Sequence, residues 1–172
     1  MARVPRKLAE LARRKSGPVF KKIISSASLG RLRLKHLRIP ALNEDFFHYE
    51  SSISAKGYEN VTIVLNSDEN EPEWWAIVKR AEEALPSILK LEPMLRRRAI
   101  PAIRRLRHRR FKWDHWHGSD KRLTGAMILE QIMFTDTGPV EMSYSGGKPC
   151  HAHTVRLTLG ARLGLRGVSF DG

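Results

Sequence analysis

An α+β fold is predicted, with a mainly antiparallel sheet of about three N-terminal and four C-terminal strands. Two principal helices and one short helix cover one face of that sheet. Three observations carry this expectation. The last forty residues alternate apolar and polar side chains between short Gly-bearing turns, as half-buried antiparallel strands do. Three shorter alternating runs stand before residue 66, and two apolar stripes at helical spacing lie between them and the C-terminal meander.

Taken in order, residues 1–28 read as a basic arm and residues 29–172 as a single α+β domain. The arm carries Arg13, Arg14 and Lys15 beside Leu8, Leu11 and Ala12, and Ser16-Gly17-Pro18 interrupts it. A first strand spans Leu29 to Leu37, with Leu32 and Leu34 alternating against Arg31, Arg33 and Lys35. A second spans Phe46 to Ala55, with Phe47, Tyr49, Ser51 and Ile53 on one face. After a turn over Lys56 to Asn60, Val61, Ile63 and Leu65 form a third.

Asn66 to Glu73 is a helix-start signal: cap-forming residues, then Pro72 among acids that suit the positive end of a helix dipole. Trp74, Ile77, Val78, Ala81 and Leu85 make the first helical stripe, which Pro86 should end or bend. A second helix is expected from Pro93, with Leu95, Ala99, Ala102, Ile103 and Leu106 inward. Arg96, Arg97, Arg104, Arg105 and Arg107 then fall outside, as does Pro101. Leu123-Thr124 opens a short helix through Glu130. The meander follows, with Ile132 and Phe134, then Val140, Met142 and Tyr144, then His153, Val155, Leu157 and Leu159, then Val168 and Phe170.

The chain has 172 residues, 41% of them hydrophobic, which suits about one domain. No run of eighteen apolar residues predicts a membrane span. The N-terminus is basic without an apolar signal core, although it resembles superficially an Arg-rich transit peptide. One cysteine, Cys150, excludes an internal disulfide and fits a reducing cytoplasm, the expected location. Net charge is +13 and unevenly spread. Residues 1–38 and 96–122 are strongly basic, residues 39–95 are acidic, and the remainder is balanced. Such blocks bind polyanions or one another.

The order of elements, together with Leu29-Gly30, Leu123-Thr124, Gly138, His153 and Gly172, resembles a bacterial domain-of-unknown-function family, number twenty-two sixty-two. The resemblance covers roughly residues 29–172. It departs at Ala152, where the family tends to have Gly, and at Pro149-Cys150, where it tends to have bulky apolar residues. Some relatives look like immunity proteins of bacterial toxin systems, which implies protein binding by analogy of fold.

Two constellations carry residue types of chemical interest. Cys150, His151 and His153 have zinc-compatible donors, with His151 and His153 expected on one strand face, but the spacing matches no standard zinc motif and a fourth ligand is missing locally. Asp114 to Asp120 holds Asp, His and Ser in one short stretch, with no Gly-x-Ser-x-Gly elbow to expose a nucleophile. No cofactor is expected. No phosphate loop opens a helix, since Gly146-Gly147 sits in a hairpin turn.

The Arg-rich helix is the sharper feature. The leading expectation is a non-enzymatic interaction protein, immunity-like, whose Arg97, Arg104 and Arg107 meet an acidic protein partner. The alternative is a non-specific nucleic-acid binder, in which Arg13, Arg14, Lys15 and the Arg helix hold phosphates while Phe111, Trp113 and Trp116 stack on bases. A third reading is an enzyme centred on Cys150, His153 and His115.

Overall fold

A computed structural model describes residues 23–39, 44–55, 57–67, 74–111, 118–136 and 138–171. The strands are β1 (Ile23–Ser26), β2 (Gly30–Ile39), β3 (Glu44–Ala55), β4 (Tyr58–Asn66), β5 (Ile128–Phe134), β6 (Val140–Ser145), β7 (Thr154–Leu159) and β8 (Leu165–Asp171). Between β4 and β5 come the helices α1 (Trp74–Arg110) and α2 (Asp120–Ala126). The fold is α+β, and strand order in the sheet is chain order. Neighbours from β1 to β4 and from β6 to β8 pair antiparallel. Among the described residues, no helix is long and apolar enough to cross a membrane.

The chain divides into two compact units. The first holds residues 1–83 and 133–138. Its inner sheet face is Ile24, Leu32, Tyr49, Val61, Ile63 and Leu65, all buried. The first turns of α1 cover that face with Trp74, Ile77, Val78 and Ala81, also buried. Tyr49 meets Trp74 edge to face at 4.8 Å, and burial raises its phenol above the ordinary value. Arg80 holds the turn after β5, donating to the carbonyls of Thr135 at 2.6 Å and Gly138 at 2.6 Å.

The sheet begins earlier than the sequence suggested. Ile23–Ser26 pairs with Gly30–Arg33, so the strand starts inside the stretch read as an arm. Ile24 is buried there, and Ser26 donates to Glu82 at 2.5 Å. Four residues are too few for alternation to show in the sequence.

The second unit holds residues 84–132 and 139–172. Val140, Met142 and Tyr144 of β6 and Val155, Leu157 and Leu159 of β7 are buried, as their alternation predicts. On the opposite face, Arg156 of β7 bridges Glu141 at 3.2 Å and Asp171 at 2.5 Å. The short helix ends before Glu130. Ser119 caps α2, accepting from the Arg122 amide, and Ile128 already lies in β5.

The two helical segments expected on either side of Pro86 are one helix of 37 residues that contains Pro86, Pro93 and Pro101. All three prolines lie on the exposed side of the helix. The apolar stripe also continues through the supposed gap, since Leu85, Ile88 and Leu95 are all buried. A proline costs a helix about 3 kcal/mol. Burial of each Leu or Ile returns roughly 1.5–3 kcal/mol, so the stripe carries the helix past its prolines.

A candidate basic interface on α1

At 100° per residue, the buried line of the second unit runs Ile88, Glu92, Leu95, Ala99, Ile103 and Arg107. Two of these six positions are charged. Arg107 was expected outside with the other arginines, but it is only 5% exposed. It stands one turn beyond Ile103, and the helix geometry carries it inward. Its guanidinium donates to the Pro149 carbonyl. Ala102 and Leu106 are half-buried, and Ile100 takes a place in the core.

Arg96 and Arg104 are also committed within this unit. Arg96 pairs with the buried Glu92 carboxylate at 3.1 Å and donates to the carbonyls of Met127 at 2.8 Å and Thr124 at 3.3 Å. Those carbonyls belong to the C-terminal end of α2, where a cation is favoured by the helix dipole. Arg104 reaches Asp120 at 2.6 Å and the Gly118 carbonyl at 2.8 Å, so it fixes the first turn of α2. A groove of about 510 Å³ lies between the two helices, with Ile100 and Gly125 along it and Arg97 and Lys121 at its rim.

Arg97 and Arg105 are exposed, as expected, and Arg98 and Arg109 join them. These four lie within about 120° of helix arc and about 18 Å of axial length. Arg97 touches the carbonyl of Pro93 at 3.2 Å. No acidic side chain pairs with any of the four among the described residues. Of the acidic block, Glu50, Glu83 and Glu92 pair with His48, Lys79 and Arg96.

The Cys150, His151 and His153 constellation is taken apart by the turn that contains it. Lys148–Cys150 is a short 3-10 turn, and His151 and Ala152 follow with φ of 51° and 60°. His151 and His153 are therefore not on one strand face, and β7 begins only at Thr154. Position 152 holds the left-handed conformation that favours glycine. Gly146 is required by close approach, since a Cβ there would lie 2.4 Å from that of Cys150. Both histidine rings lie against Phe111, at 4.4 and 5.2 Å. Phe111 is itself buried, so it presents no free face to a nucleic-acid base.

No group of three metal-ligating side chains converges among the described residues. Cys150 is wholly buried. Burial pushes its thiol up to about 11, against a smaller opposing pull from the Arg107 charge. The thiol is therefore expected to resist a disulfide-exchange reagent in the folded protein at pH 8 and to react at once after unfolding in urea. A raised folded value favours the protonated form. Its contribution to stability is thus complete below about pH 9 and is lost as pH climbs towards about 11. Stability measured across that window should fall more steeply in the native protein than in Cys150→Ala, which keeps the contribution of the buried Tyr49 phenol.

Arg13, Arg14, Lys15, Trp113, His115, Trp116 and most of Asp114–Asp120 lie outside the described residues. No family model, no curated protein and no solved structure matches this chain.

Proposed function

We propose that this chain is a non-enzymatic interaction protein that docks an acidic protein partner through the exposed arginine row of α1. The observation that carries this reading is the sorting of the arginines. Arg96, Arg104 and Arg107 are spent inside the fold, while Arg97, Arg98, Arg105 and Arg109 are exposed and have no acidic partner among the described residues. The planar fork of each free guanidinium suits a carboxylate, and helical spacing sets the forks in a fixed array. The internal arginines hold α1 and α2 together, which keeps the array ordered before a partner arrives. Among the described residues no Phe, Tyr or Trp ring stands free beside the row, and the exposed His108 is the one ring within its arc.

The test is fluorescence polarisation with a labelled polyglutamate peptide and a random-sequence DNA duplex, from low to physiological salt. The expected result is that the peptide binds and the duplex is lost first as salt rises. A duplex that outlasts the peptide at physiological salt would overturn the acidic-partner reading and favour phosphates.

A further inference from the structure

The first unit presents a second cationic surface. On β2, Arg31, Arg33 and Lys35 occupy alternate positions and are all exposed, while Leu32 between them is fully buried. Side chains two residues apart on a strand stand about 6.8 Å from one another on the same face. That spacing is comparable to the separation of neighbouring phosphates along an extended nucleic-acid strand. Register places Ser25 of β1 and Ser52 of β3 on either side of Arg31, and Thr62 of β4 beyond Ser52. The three cations, Ser52, Thr62 and Glu50 border a depression of about 490 Å³. Glu50 is the one acid there. It stands opposite Arg33, but its carboxylate contacts His48 at 2.8 Å. None of the three cations has an ion-pair partner among the described residues.

We infer that this sheet face binds the phosphate backbone of single-stranded nucleic acid, without regard to sequence. The cations form a single line along one strand, which follows one chain of phosphates. Reading a duplex groove instead calls for a helix or a two-stranded ribbon that enters it. The flanking hydroxyls are neutral donors of the kind that phosphate and sugar oxygens accept from. Among the described residues no aromatic side chain lines the depression, so the contacts it can offer are to phosphate and sugar, which carry no sequence information. This inference is independent of the acidic-partner reading, because it uses residues of the other unit.

The experiment is polarisation of a labelled oligothymidylate over a salt series. It is made in the background in which Arg97, Arg98, Arg105 and Arg109 are all replaced by Glu, so that the helix row contributes nothing favourable. Replacing Arg31, Arg33 and Lys35 together by Ala is expected to weaken binding at least tenfold at low salt. It should also reduce the slope of log K against log salt by about 2, since each phosphate neutralised on a single strand contributes about 0.7. Ser52→Glu, which adds a carboxylate to the exposed face, should weaken binding in the same direction with an unchanged melting temperature. Unchanged affinity and slope in the triple variant would overturn the inference. So would a duplex bound as tightly as the single strand, or polyglutamate that displaces the strand as effectively as unlabelled oligothymidylate does, the last pointing to an acidic peptide.

Discussion

Arg96→Ala is expected to destabilise the second unit by about 3–5 kcal/mol, the range for removing one partner of a buried ion pair. The Glu92 side chain is 1% exposed and the Arg96 side chain 25% exposed. Truncating the arginine takes the cation away from a buried carboxylate and leaves the α2 carbonyls of Thr124 and Met127 without that donor. The Coulomb gain of the pair is not itself the source of this figure. Buried pairs often break even against apolar replacements, and the cost arises from the partner left behind. The double variant Glu92→Leu/Arg96→Met should therefore recover most of the loss, falling short by the unmet carbonyls, at about 1–3 kcal/mol. Urea unfolding of the three proteins checks this. A single variant within about 1 kcal/mol of the parent would mean that the carboxylate finds another partner or protonates.

Replacing Arg97, Arg98, Arg105 and Arg109 together by Glu should do the opposite: leave stability nearly unchanged and weaken binding. All four are exposed, and single exposed charge pairs contribute about 0.2–1 kcal/mol. Four reversals at that scale weaken capture of polyglutamate by about 0.8–4 kcal/mol, or roughly 4- to 1,000-fold at low salt. The effect should shrink as salt rises, because exposed charges are screened beyond about 10 Å at 0.1 M. Arg104→Ala provides the contrast. It should release Asp120 and Gly118, at the start of α2, from α1, with a smaller effect on peptide capture than on stability. If the four-fold reversal binds as the parent does, the row is a solvated face and the acidic-partner proposal fails.

The strands were legible wherever alternation ran for five residues or more. Tyr49, Val61, Ile63, Met142, Tyr144, Val155 and Leu157 are buried as their period demands. Legibility failed at β1, which is too short to show a period, and at α1, where proline was weighted above the stripe that continues past it. The interface was half legible. Its residue type and its helix were evident, and Arg97 and Arg105 lie where they were expected. Arg107 is buried where its charge predicts exposure. Its spacing of four from Ile103 had already marked it as a residue of the inner line. Glu92, three residues before Leu95, carried the same signal. The row also includes Arg98 and Arg109, whose positions on the helix arc were open to the same arithmetic.

Local period and composition were enough for the antiparallel α+β architecture, the apolar stripe of α1 and the excess of cations. These properties follow from side-chain spacing and charge within one segment, and a linear text records both. Which cations remain available to a partner is a different kind of property. It depends on where the carbonyls of Thr124, Met127 and Pro149 and the carboxylate of Asp120 lie in space, each of them 16 to 42 residues away from the arginine it satisfies. A buried guanidinium is tolerated only where such acceptors converge. That convergence is made by the fold, and it separates the arginines that build this protein from those left exposed.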